Sequence, residues 1–128
     1  MTPDKLLKSL LWLSATLSFV IGILLTSGTT TIFNFMGFPY HGGFFAVQAG
    51  VFYIILSIAF VMTGSNLNKQ NLLVWFCIGS KFMLAVFFFM YFLMYEQIRI
   101  VLAFGGLELI LGALLIQFNS RYRRFSKA

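Results

Sequence analysis

The sequence predicts an all-α fold: an integral membrane four-helix bundle with antiparallel neighbours and both termini cytoplasmic. Three observations predict it. Of 128 residues, 60% are hydrophobic and 9% are charged, whereas a soluble domain carries roughly 45–50% apolar and about 25% charged residues. The apolar residues gather into four runs, each near the roughly 20 residues that a helix needs to cross a bilayer. The basic residues between those runs fall almost entirely on one side. At this length the chain is expected to form one transmembrane domain over residues 1–128.

The first span runs from about Leu6 to Thr26. Lys5 and Lys8 precede it, as in a signal peptide, but the run exceeds a usual signal core and no A-x-A-like site follows. It is therefore read as a retained helix. The second span covers about Phe44–Thr63, the third about Leu72–Tyr95 and the fourth about Ile98–Phe118. None contains proline; Pro3 and Pro39 stand at boundaries, where a missing N–H costs little. Short connections make successive spans antiparallel neighbours.

The connection 27–43 is longer and carries no full charge. Ile32, Phe33, Phe35, Met36 and Phe38 are too apolar for a hydrated loop. Two readings stand: a short interfacial or re-entrant helix at the outer face, or a loop packed over the helices. Gly37, Gly42 and Gly43 supply turns around it.

Orientation follows from basic residues in short loops. Lys5 and Lys8 precede the first span, Lys69 lies between the second and third, and Arg121, Arg123, Arg124 and Lys127 follow the fourth. These are seven of the nine Lys and Arg residues. Lys81 is embedded, and only Arg99 lies on the other side. The bias places both termini in the cytoplasm and argues against dual topology. The tail RYRRFSKA reads as a headgroup anchor on anionic lipid, not as a nucleic-acid patch.

Composition excludes several chemistries. The lone Cys77 rules out an intrachain disulfide, a CxxC redox pair and a thiolate zinc site. The lone His41 rules out a bis-histidine haem within the chain. There is no phosphate-cradling glycine loop ending in Lys-Ser/Thr. No metal, cofactor or catalytic residue is expected.

Two charges nevertheless fall deep in predicted spans. A charge at the bilayer centre costs on the order of 2.5–3.5 kcal/mol on insertion scales, so a lipid-facing placement is disfavoured. At about 1.5 Å per residue, Lys81 lies roughly 14 Å and Glu108 roughly 16 Å from the cytoplasmic ends of adjacent spans. Matching depth makes an ion pair the natural reading. Small residues share its faces: Gly105 and Gly112 with Glu108, Cys77 and Ala85 with Lys81, with Ser80 beside them. Ser14, Ser18 and Gly22 are four apart on the first span, and Gly50, Tyr53, Ser57 and Gly64 share a face of the second. By the same count Ser14, Ser18, Tyr53, Ser57, Lys81 and Glu108 form a polar layer near mid-membrane, and Gln48 could cap a pocket from the outer end.

Three uses of the layer compete. It fixes helix register, as an internal polar residue can; it binds a ligand or ion; or it moves protons. Cys77 reads as an inert buried thiol, Glu96 with Arg99 as a solvated outer pair, and His41 as a wet loop residue. Trp12, Trp75, Tyr40, Tyr91 and Tyr95 include interfacial anchors. Phe87, Phe88 and Phe89 surround the third span, so part of that run must face lipid or a partner chain.

The layout resembles the DoxX-like group of small four-helix bacterial membrane proteins. The residues that carry the resemblance are FMGFP at 35–39, FFAVQAGVF opening the second span, GSKFM at 79–83 and GGLELILGALL at 105–115. The resemblance implies a helical bundle and a respiratory-chain or quinone connection, and it assigns no catalytic residue. Small multidrug transporters fit less well, since the first span holds no carboxylate. Fluoride channels also fit less well, since Glu108 interrupts the glycine-rich stretch. Thiol-linked quinone reductases need paired cysteines. The expected function is non-enzymatic: an accessory subunit or small lipid- or quinone-binding module of a bacterial inner-membrane complex, in contact with membrane lipid and with other membrane chains or copies of itself. The alternative is a small oligomeric transporter or channel that uses the Lys81–Glu108 layer.

Overall fold

The computed structural model describes residues 2–27, 30–37, 44–67, 71–95 and 97–127, and these are helical almost throughout. The helices are α1 (Pro3–Ser27), α2 (Thr30–Phe35), α3 (Phe44–Ser65), α4 (Asn71–Met94) and α5 (Arg99–Lys127). Four of them, α1, α3, α4 and α5, are long and apolar enough to cross a membrane. Phe38, Pro39, Tyr40, His41, Gly42, Gly43, Lys69 and Glu96, which the sequence reading singled out, lie outside the described residues.

Local sequence accounts for the helix ends. Pro3 opens α1, where its fixed φ suits a first turn and its missing N–H would have had no helical partner. Asp4 in that turn favours the positive end of the helix dipole. α2 answers part of the question left by the apolar connection, because residues Thr30–Phe35 do form a helical turn. Phe33 is buried there while Phe35 is 91% exposed. The chain then turns at Gly37, whose φ of 86° favours a residue without a side chain and whose N–H bonds to the Asn34 carbonyl at 3.0 Å.

The largest departure from the expected boundaries is in α5. It runs on to Lys127, beyond the predicted limit near Phe118. Hydropathy marks where the apolar stretch stops, but no glycine or proline follows to break the helix. At about 1.5 Å per residue its 29 residues exceed the roughly 30 Å of a hydrocarbon core, so the basic turns project past it. Arg123 there stacks on Trp75 of α4, 5.4 Å from the ring centroid.

Each long helix buries one stripe, in which small and polar residues alternate with bulky apolar ones, and exposes large apolar residues on its far side. α1 buries Leu7, Leu10, Leu11, Ser14, Ala15, Ser18 and Gly22 at helical spacing. Trp12, Leu13, Phe19 and Val20 on its far side are exposed, as a lipid-facing surface requires. α1 packs chiefly on α3 and α4 chiefly on α5; α1 also touches α5, and of the pairs in contact α3 and α4 touch least.

Glycines set the two tight seams. A Cβ at Gly22 would lie 2.8 Å from the Gly50 carbonyl oxygen, and one at Gly50 would lie 2.7 Å from that of Gly22. Backbone therefore meets backbone there, the close approach that small residues permit between membrane helices. Near the other end Gly64 lies under the Trp12 indole, so α1 and α3 run antiparallel. On the α4–α5 seam Gly105 seats Phe88 and Phe89, and Gly112 seats Lys81 and Phe82.

Candidate functional site

The two seams fix the level of every polar side chain in the interior. Gly112 lets α5 come within van der Waals contact of the Lys81 stem. Glu108 sits one turn nearer the α2 end, and the lysine extends up to it. Lys81 Nζ lies 2.7 Å from Glu108 Oε2, with side chains 1% and 4% exposed. At that distance the ammonium and the carboxylate meet directly as a charge-assisted pair. Lys81 Nζ also lies 4.8 Å from the centre of the Phe60 ring. A ring face attracts a cation most strongly when both are out of water.

The hydroxyls of the interior divide into two kinds. Most bond back to their own helix: Ser57 Oγ donates to the Ile54 carbonyl and Ser80 Oγ to the Cys77 carbonyl, each at 2.7 Å. Thr63 Oγ1 does the same to Ala59 and lies 3.4 Å from the Cys77 sulfur. Ser14 and Ser18 differ. They are 0% and 1% exposed, yet neither hydroxyl has a hydrogen-bond partner among the described residues. A buried hydroxyl left unpaired costs about 1–3 kcal/mol, so native interiors hold few of them.

Toward the α2 end the helices enclose an apolar cavity of about 310 Å³. Its walls begin one turn from the polar residues on all four long helices. Ile21 follows Ser18, Tyr53 precedes Ser57, Leu84 follows Lys81 and Phe104 precedes Glu108. Met36, just after α2, also lines it. The cavity exists because α3 and α4 diverge. Their contacts through Thr63–Cys77 and Phe60–Lys81 lie in the half nearer the chain termini. Beyond those contacts Phe52 and Phe87 stand on either side of the gap, both more than half exposed. The gap opens sideways, onto the surface that carries the exposed apolar residues.

The opposite approach is closed. Between the pair and the termini lies a packed core of Leu7, Leu11, Phe60, Val74, Ile78, Leu111 and Leu115. Beyond this seal a separate polar recess at the terminal end holds Asp4, Lys8, Ser65 and Tyr122.

The structure thus brings Ser14, Ser18, Ser57, Lys81 and Glu108 into the interior, with Tyr53 on the cavity wall. Gln48 does not join them: it is exposed on α3, and its neighbour Ala49 faces the cavity instead. A one-residue step turns a helical side chain by about 100°, which separates the two. Ser80 is half-buried and already engaged by its own helix. Sequence reasoning missed three buried residues. Phe60 continues the Gly50–Tyr53–Ser57–Gly64 stripe, so its spacing was the available signal. Thr63 sits where the second span was expected to end, and Asn119 lies one residue past the expected end of the fourth; the longer helices bury both. Among the described residues no group of His, Cys, Asp and Glu could hold a metal ion. The chain matches no family model, and no curated protein or solved structure matches it.

Proposed function

We propose that this chain is a non-enzymatic module of a bacterial inner membrane that holds a small lipid-soluble molecule, a lipid or a quinone, between its helices. It acts as an accessory subunit beside other membrane chains. In this reading the four long helices form an antiparallel bundle in the bilayer, with both termini cytoplasmic and α2 at the outer face. The observation that carries it is the cavity. It is apolar, opens sideways between Phe52 and Phe87, and ends one turn from buried polar groups. Ligand sites are concave and mostly apolar, with a few placed polar groups, and span roughly 300–1,000 Å³. The resemblance to the DoxX-like group supports the quinone alternative.

The second reading, an oligomeric transporter or channel, draws on the charges buried within the spans, where charge often marks an ion path. The leucine-rich seal on the terminal side favours the first reading, because an aqueous path would have to part it.

Filling the cavity tests the function. Leu56→Trp places an indole in its wall. Purified gently with its native lipids, the wild type should carry a small apolar molecule in native mass spectrometry, and the variant should lose it while keeping its helical content. Equal retention by both would overturn the proposal. Size-exclusion chromatography separates the roles, since a subunit elutes within a larger complex and a transporter elutes as a homo-oligomer.

Topology has its own test. In a background lacking Cys77, cysteines at Thr30 or His41 should react with an impermeant maleimide added outside. Cysteines at Lys69 or Lys127 should not. Outside labelling at Lys69 would reverse the orientation.

A further inference from the structure

The cavity runs along the helices rather than across them. At the α2 end its walls include Leu24 and Leu25 in the last turn of α1 and Ala49 in the second turn of α3. Its lining residues nearest the chain termini are Leu56 and Leu84, near the middle of α3 and α4. From Ala49 to Leu56 this is about 10 Å at the helical rise of 1.5 Å per residue. Leu56 packs against the leucine-rich core, so the cavity is blind at that end. One side is open, between Phe52 and Phe87. The lining is hydrocarbon almost throughout, and the polar groups one turn away do not show on it.

We propose that this cavity takes one acyl chain of a bilayer phospholipid, whose head group stays outside at the level of the α2 end. The inference rests on the ligand-binding reading above and narrows the ligand's chemistry. Water is a poor occupant, because a buried water needs roughly two to four polar partners and apolar cavities stay dry. A polar head is a poor occupant for the same reason: a buried carbonyl or hydroxyl without a partner is costly. That argument also keeps a quinone ring out. A phospholipid already has the matching posture, with its head at the interface and its chain pointing toward the midplane. The cavity runs along that line, from the helix ends to mid-span, and its open side lets a chain tilt in while the head stays at the interface. The bilayer is as apolar as the cavity wall, so no hydrophobic force drives the transfer. The gain is dispersion contact with walls on several sides at once, which close packing makes large in sum. Such a site selects a chain and is indifferent to the head.

The test places the full chain in nanodiscs doped with phosphatidylcholine that carries a diazirine at mid-chain or, in a second sample, on the head group. After illumination, adducts are mapped by mass spectrometry. The mid-chain probe should label Leu84 and Phe104, which line the cavity, and also Met83, which is 75% exposed on the outer surface. The head-group probe should label none of the three. A mid-chain probe built on phosphatidylethanolamine should label the same residues to the same extent. Leu56→Trp should remove the adducts at Leu84 and Phe104 and keep the one at Met83, which reports on bulk lipid. The comparison among probes uses the wild type alone, so it stands even where the variant fails to fold. Head-group adducts at Leu84 or Phe104, dependence on the head, or labelling of Met83 without Leu84 and Phe104 overturns the acyl-chain inference. So does excess decylubiquinone, if it abolishes the cavity adducts and spares Met83; the cavity would then keep its ligand role with a quinone as occupant. The ligand-binding reading itself falls on a different result, a wild type that carries no small apolar molecule in native mass spectrometry.

Discussion

Lys81→Met or Glu108→Gln alone should destabilise the folded chain by about 3–5 kcal/mol, because either change strands a buried group that has lost its partner. Both side chains are almost fully enclosed, so solvent screening does not soften the loss. The double variant should recover part of this stability, since it leaves no unpaired charge. Reversible unfolding in bicelles, run as a double-mutant cycle, measures the coupling. A cycle with no coupling would show that the two groups do not rely on each other. The double variant also separates the uses of the layer. If it folds well and still carries a small apolar molecule in native mass spectrometry, the pair serves helix register. If it folds well and binds nothing, the pair belongs to the ligand site.

Gly50→Ala should cost about 3 kcal/mol, near the top of the usual range for overpacking. The added methyl would meet the Thr26 hydroxyl, the Gly22 carbonyl at 2.7 Å and the Thr26 amide nitrogen at 2.9 Å. Two of these three atoms are backbone and cannot rotate away, so α1 and α3 must part. Gly79→Ala is the control. Nothing lies within 4 Å of a Cβ there, and alanine in place of glycine within a helix should gain about 0.4–1 kcal/mol. Thermal unfolding of the two variants in one detergent should move in opposite directions. A neutral Gly50→Ala would mean that the α1–α3 seam is looser than described.

The long helices were legible because the membrane problem is coarse: an apolar run of sufficient length has few other uses. The Lys81–Glu108 contact was legible for a related reason. Few charges enter the spans, the cost of burying one is high, and helical rise converts residue number into depth. The stripes Ser14–Ser18–Gly22, Cys77–Lys81–Ala85 and Gly105–Glu108–Gly112 are each buried in the structure, as their spacing implied. What the spacing could not supply was the relation between helices that are not tightly seamed. The cavity arises from the divergence of α3 and α4 above Phe60 and Lys81, and no local pattern encodes that angle. Nor does composition separate Ser14 and Ser18, whose hydroxyls lack partners, from Ser57 and Ser80, whose hydroxyls close on their own carbonyls. That difference is a choice of rotamer. Gln48 shows the complementary error: its depth suited a pocket, but its direction on the helix did not.

Lys81 and Glu108 meet as a directly joined charged pair in the interior of this protein. Solid-state NMR on chain labelled with ¹⁵N at lysine Nζ and ¹³C at glutamate Cδ, in lipid bilayers, reads the contact and the charge of both groups at once. With Lys81→Met and Glu108→Gln samples to assign the signals, the expected result is a direct dipolar coupling between Lys81 Nζ and Glu108 Cδ, consistent with the 2.7 Å contact to Oε2, and shifts of an ammonium and a carboxylate. A Glu108 signal at the position of a neutral carboxyl group, with no coupling to Lys81, would contradict it.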